Sequence, residues 1–162
     1  SEDWIAFIGI KDNRPYEIFT GITDEDTLPI PKSINKGKII KVKEEDGSTR
    51  YDFQYTDKYG YTNTLGGLSR LFNKEYWNYA KLISGVLRYG MPIPGVVNLV
   101  TSLNVDSDTI STWKNGVVRA LKKYIPNGTT VQKGKCGECG SASLVYQEGC
   151  LTCTTCGSSK CG

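Results

Sequence analysis

The chain has 162 residues, 38% hydrophobic and 23% charged, with ten Tyr, three Trp and a net charge of +3. That length allows one ordinary domain plus a small appendage, and the composition is that of a folded chain rather than a disordered one. There is no histidine, which excludes Ser-His and Cys-His nucleophile pairs, histidine general bases and histidine metal ligands.

In chain order, Trp4-Ile5-Ala6-Phe7-Ile8 opens a first strand over residues 3–10, and residues 15–21 form a second. Lys11-Asp12-Asn13-Arg14 between them has turn chemistry, so the pair reads as a hairpin. A polar stretch with prolines runs from Asp24 to Asn35. Residues 37–43 and 50–56 then alternate around the acidic loop Glu45-Asp46-Gly47-Ser48, with Tyr51, Phe53 and Tyr55 on one face. A short third element is expected from Tyr59 to Leu65. The lysines at 32, 36, 38, 41 and 43 read as the wet face of a strand.

From Asn73 the period becomes helical. Asn73 is placed to cap, Glu75 lies in the first turn, and Tyr76, Tyr79, Ala80, Ile83, Val86 and Leu87 recur until Gly90 stops the run. Pro92 and Pro94 start a second helix through Val96, Val97, Leu99 and Val100. A third spans about Thr112 to Tyr124, with Trp113, Val117, Ala120 and Leu121 inward and Lys122 and Lys123 at its C-terminal end, where the helix dipole favours cations. The expected architecture is α+β: an antiparallel sheet followed by three helices over residues 1–125, a linker over 126–135, and a small C-terminal zinc ribbon over 136–162.

No apolar run approaches the roughly 20 residues a membrane helix needs. No charged segment followed by an apolar one opens the chain, so no signal peptide is expected. The first residue is Ser, not Met, which suggests a piece of a longer protein. Residues 1–105 balance thirteen basic against thirteen acidic side chains, whereas 106–162 hold seven basic against four acidic. That bias is too weak alone to argue for nucleic acid.

All six cysteines lie after residue 135. A disulfide-stapled secreted domain spreads its cross-links through the fold, so this clustering points to metal or thiol redox chemistry in a reducing compartment, and the cytoplasm is expected. The tail reads Cys136-Gly-Glu-Cys139-Gly140, then nine residues, then Cys150-Leu-Thr-Cys153-Thr-Thr-Cys156-Gly157-Ser-Ser-Lys-Cys161-Gly162. Two C-x-x-C turns offer four thiolates to one tetrahedral zinc, and a segment this short cannot fold on its core alone.

The second unit is overlapped, so two ligand frames are open. In the first, Cys136, Cys139, Cys153 and Cys156 bind, leaving Cys150 and Cys161 free. In the second, Cys150 and Cys153 complete the site, leaving Cys156 and Cys161. The first is preferred because Gly140 and Gly157 follow both of its pairs and can take the positive φ of a tight knuckle. Either way two thiols are spare. Zinc or Lys160 nearby lowers a thiol's pKa, and a dithiol on a mobile tail suits thiol–disulfide exchange.

This tail, Cys136-Gly-Glu-Cys139-Gly through Leu144-Val-Tyr-Gln-Glu-Gly-Cys150 to Cys161, resembles the cysteine-rich C-terminus of adenosylcobalamin-dependent (class II) ribonucleotide reductases. Gly9-Ile-Lys-Asp-Asn-Arg-Pro15-Tyr16-Glu17-Ile-Phe19 and Tyr79-Ala-Lys-Leu-Ile-Ser84-Gly-Val-Leu-Arg88-Tyr-Gly90 resemble the domain preceding it. Residues 112–121 are similar to the TSCPD motif, with Trp113-Lys114-Asn115 where that family has Cys-Pro-Asp, so no role passes to a cysteine there.

The resemblance implies the C-terminal part of a ribonucleoside-diphosphate reductase. Its tail would deliver electrons to the active-site cysteines of a catalytic barrel during deoxyribonucleotide synthesis. The redox pair would be Cys150 and Cys161, or Cys156 and Cys161 if the zinc frame shifts. Zinc belongs to the tail, while adenosylcobalamin belongs to the full-length enzyme only. The implied partners are the barrel of the same or a neighbouring subunit and a thiol reductant. No membrane is implied, nucleic acid is disfavoured, and a homo-oligomer is compatible. The competing reading is a zinc ribbon that binds nucleic acid or docks an assembly with no redox role.

Overall fold

A computed structural model describes residues 3–22, 26, 28–105 and 108–161, with the side chains of 108–111 left aside. Of the positions singled out above, Asp24 and Gly162 lie outside the described residues. The element order is β1 (Trp4–Lys11), β2 (Arg14–Ile22), β3 (Lys38–Lys43), β4 (Thr49–Thr56), β5 (Thr62–Leu65), α1 (Leu68–Leu71), α2 (Lys74–Arg88), α3 (Ile93–Thr101), α4 (Asp108–Lys122), β6 (Leu144–Gln147), β7 (Cys150–Cys153) and β8 (Ser159–Lys160). The class is α+β, with strands before helices and a cysteine cluster at the C-terminal end. By contacts the chain divides into two compact units, Ser1–Lys11 with Tyr16–Gly85, and Asp12–Pro15 with Val86–Gly162.

In the first unit, the opening strands do not join the later ones in a single sheet. β1 pairs with β2 alone, and β3-β4-β5 form a separate antiparallel sheet. The β1–β2 turn has Asp12 at φ 52° and Asn13 at φ 59°. Two successive positive φ angles mark a type I′ turn, which Asp and Asn tolerate better than most residues. Phe7, Phe19, Leu28, Phe53, Leu68 and Phe72 make the core, with Tyr51 and Trp77 against it. Phe19 stacks on Trp77 at 4.8 Å and meets Tyr51 at 5.0 Å. The body's aromatics are therefore largely spent on packing. Asp52, only 6% exposed, accepts the Gly67 N–H at 2.8 Å and a 3.0 Å bond from Arg50 Nε. Buried Ser84 accepts the Ile18 N–H at 3.0 Å and donates to the Ile18 carbonyl at 3.2 Å.

The caps of α2 follow the sequence signals. Asn73 Oδ1 accepts the Glu75 N–H at 2.8 Å, and Gly90 at φ 84° donates to the Leu87 carbonyl at 3.1 Å. One further helical turn, α1, had no sequence signal: its N-cap is Gly67, with no side-chain cap.

In the second unit, Arg14 closes the end of α2 by donating to the carbonyls of Leu87 and Met91. α3 packs on α4. Val96, Val97 and Val100 of the one and Trp113, Val117 and Leu121 of the other are buried. Ala120, expected inward, is half-buried, and Val118 takes its share of the core. α4 also begins earlier than expected, at Asp108.

Candidate metal centre and disulfide

The tail folds as a three-stranded antiparallel sheet in the order β6-β7-β8. Leu144 pairs with Cys153 and Gln147 with Cys150, while Leu151 pairs with Lys160. The outer edge of β6 is covered by the preceding segment. Tyr146 accepts the Gly128 N–H at 2.7 Å and donates to Thr129 at 2.9 Å, and Leu144 accepts the Val131 N–H at 3.0 Å. A two-residue turn, Glu148 at φ 49° and Gly149 at φ 77°, joins β6 to β7. Asn127 holds that turn, donating to the Glu148 carboxylate and accepting its N–H, both at 2.8 Å.

Two loops present cysteines to each other, and they are built alike. Residues 136–141 read Cys-Gly-Glu-Cys-Gly-Ser and residues 153–158 read Cys-Thr-Thr-Cys-Gly-Ser. In each, the glycine N–H donates back to the first cysteine's carbonyl, Gly140 to Cys136 at 2.8 Å and Gly157 to Cys153 at 2.9 Å. In each, the first cysteine's N–H donates to the serine's carbonyl, Cys136 to Ser141 and Cys153 to Ser158, both at 2.8 Å. The glycines sit at φ 71° and 77°, where a Cβ costs roughly 1–2 kcal/mol. That is the physical reason for glycine after each pair.

The loops bring together the sulfurs of Cys136, Cys139, Cys153 and Cys156, all within 4.8 Å of one another. Two of the separations, Cys136–Cys156 and Cys139–Cys153, are 3.6 Å. A tetrahedron of thiolates about 2.3 Å from a zinc ion has sulfurs about 3.8 Å apart. The donor set and its spacing thus fit a metal ion such as zinc. Cys136 and Cys153 are buried, while Cys139 and Cys156 are exposed.

The serines, which spacing alone did not single out, cross between loops. Ser158 Oγ lies 3.1 Å from Cys136 Sγ, and Ser141 Oγ lies 3.3 Å from Cys153 Sγ. Each loop's hydroxyl thus reaches the first cysteine of the other. The Ser141 hydroxyl, with the Cys156 and Thr155 N–H groups, lowers the Cys153 thiol to about 5. The Ser158 hydroxyl, with the Cys139 and Glu138 N–H groups, also pulls Cys136 below its ordinary value. Ser158 pulls on Cys156 too, but burial and the neighbouring thiols of Cys136 and Cys139 outweigh it and leave that thiol raised. Hydrogen bonds to a thiolate favour it, and thiolates are the form a metal takes. The repeated Cys-x-x-Cys-Gly-Ser was the available signal for these serines.

Cys150 stands apart. It opens β7 and Cys153 closes it, and residues three apart on a strand point to opposite faces. Cys150 is joined to Cys161 in a disulfide, with Cα atoms 4.4 Å apart. The structure thus draws four cysteines into one cluster and the other two into a bond with each other. Cys161 is exposed and Cys150 half-buried.

A family model for the NrdJ homologue C-terminal domain matches residues 1–126. The matched region stops ten residues before Cys136 and contains no cysteine. No curated protein and no solved structure matches the chain. No helix among the described residues is long and apolar enough to cross a membrane.

Proposed function

The chain belongs to the NrdJ homologue C-terminal domain family, C-terminal regions of class II ribonucleotide reductases, and on that premise we propose that its tail carries electrons to the reductase. The observation that carries this reading is the division of the six cysteines, four converging within 4.8 Å and two joined as Cys150–Cys161. In this reading Cys136, Cys139, Cys153 and Cys156 hold zinc. Bound zinc supplies a structural staple for the ribbon and no redox step.

The exchange runs through the other pair. Reduced Cys161, at the exposed end of the tail, attacks one sulfur of the oxidised active-site pair as thiolate and forms a mixed disulfide. Cys150 then attacks Cys161 Sγ, closing the Cys150–Cys161 bond and releasing the second active-site thiolate. Two electrons pass to the active-site pair, and the two protons of the dithiol end on its thiols. A thiol reductant then restores Cys150 and Cys161. The catalytic barrel, its cobalamin and its ribonucleoside diphosphate are partners in this scheme, in the cytoplasm, and no residue of this chain is assigned to binding cobalamin or substrate.

Cys150→Ser and Cys161→Ser in the reductase test it. Each should leave the first turnover, which uses thiols already present, and stop the later ones supported by an external thiol. Sustained turnover at the unmodified rate in either variant would contradict electron delivery and favour a docking role.

A further inference from the structure

The disulfide forms one wall of a cavity of about 330 Å³ whose other walls come from the end of α4 and the β6–β7 turn. Arg119, Lys122 and Lys123 line it beside Cys150 and Cys161. The two elements meet closely there: a Cβ on Gly149 would lie 3.4 Å from the Lys122 carbonyl oxygen. The one carboxylate in the lining, Glu148, is bonded to the Asn127 amide at 2.8 Å. None of the three cations forms an ion pair among the described residues, where the ion pairs involve Lys32, Arg50 and Arg70. The helix dipole accounts for cations at the end of α4. It does not account for their sharing a concave site with a disulfide.

We propose that this cavity is a binding site for the reductant, and that it selects a small thiol carrying carboxylates. The inference rests on the exchange reading above and adds the chemical class of the electron source. The carboxylates lie against Arg119, Lys122 and Lys123 and bring the thiolate to the exposed sulfur of Cys161. Attack there breaks the Cys150–Cys161 bond, joins the small thiol to Cys161 and releases Cys150 as thiolate. A second molecule of the thiol attacks the sulfur of the first, leaves as the symmetrical small disulfide, and frees Cys161. Two thiols are oxidised, one disulfide is reduced, and the two thiol protons pass to Cys150 and Cys161. A concave site with a net excess of one sign, here three cations to one carboxylate, raises the local concentration of the opposite sign and the encounter rate, by about tenfold at the low end of such effects.

The test is the rate of reduction of this disulfide in the intact chain by mercaptosuccinate, 2-mercaptoethanol and cysteamine, each compared per thiolate. The expected order is mercaptosuccinate, then 2-mercaptoethanol, then cysteamine, with about tenfold between first and last. About 0.5 M salt should bring the three rates together, because exposed charges are screened. The triple variant Arg119→Gln, Lys122→Gln, Lys123→Gln should lose the preference, with the mercaptosuccinate rate falling most and the cysteamine rate least.

Equal per-thiolate rates on the unmodified chain, or a preference that persists in salt or in the variant, overturn the assignment of this site. A preference shown by a cysteine peptide flanked by aspartates but not by mercaptosuccinate moves recognition to a protein surface and overturns the small ligand. A disulfide that none of the thiols reduces overturns the exchange function together with the site, whereas reduction at equal rates overturns the site alone.

Discussion

The first unit and the cysteine ribbon are held together by different forces. The first unit closes around Phe7, Phe19, Phe53 and Phe72, which remove large apolar surfaces from water. The ribbon offers strands of four, four and two residues, one buried tyrosine and two buried cysteines, too little apolar surface to offset the entropy of ordering its chain. What it has instead is four cysteine sulfurs close enough together to hold one metal ion. Family identity and chemistry divide in a similar way: the matched region, 1–126, has no cysteine, and every thiol lies beyond it.

The largest effect expected is therefore from removing one cysteine of the four-cysteine cluster. Structural zinc contributes about 10–16 kcal/mol of apparent binding free energy to small zinc folds. Cys153→Ser, or a strong chelator, should abolish amide-exchange protection in β6 and β7 and leave β4 protected. Protection retained in the ribbon strands would show that their packing suffices without metal.

The converse substitution falls in the aromatic core. Phe19 is 3% exposed and touches both Trp77 and Tyr51, so Phe19→Ala should cost about 3–5 kcal/mol. Chemical denaturation should show that loss in the first unit, with zinc content unchanged at one ion per chain. Loss of the zinc in this variant would erase the contrast between the regions.

A smaller effect separates them by pH. Burial alone would raise the Asp52 carboxyl, but the Gly67 N–H and the Arg50 guanidinium outweigh it and hold it below its ordinary value. A carboxyl lowered in the folded state contributes stability that is present above its unfolded pKa, about 3.9, and is lost as pH falls through the folded value. Asp52→Asn should remove about 1–3 kcal/mol at neutral pH and flatten the acid limb of the stability curve. An unchanged acid limb would assign that limb to other carboxyls.

The sequence made local features readable and left pairing obscure. Asn73 and Gly90 mark the ends of α2 because caps and left-handed glycines act within a few residues. α1 escaped because a single turn opening on Gly67 has neither period nor side-chain cap. The split between the β1–β2 pair and the β3-β4-β5 sheet was hidden as well, since alternation tells which face is apolar but not which strand lies alongside.

The site shows the same limit. Spacing and Gly140 and Gly157 pointed to four ligands, but not to Ser141 and Ser158, whose hydroxyls act across the two loops. Lys122 and Lys123 read as ordinary helix-end cations. Only the fold brings the end of α4 to the Glu148-Gly149 turn and so to the disulfide.

The division of labour among the six cysteines is tested most directly by counting reactive thiols in the reduced, zinc-loaded chain. Alkylation followed by peptide mapping should label Cys150 and Cys161 rapidly, leave Cys136, Cys139, Cys153 and Cys156 unlabelled, and keep one zinc bound. Rapid labelling within the four-cysteine cluster with zinc still bound, or a protected Cys150 or Cys161, would contradict the account.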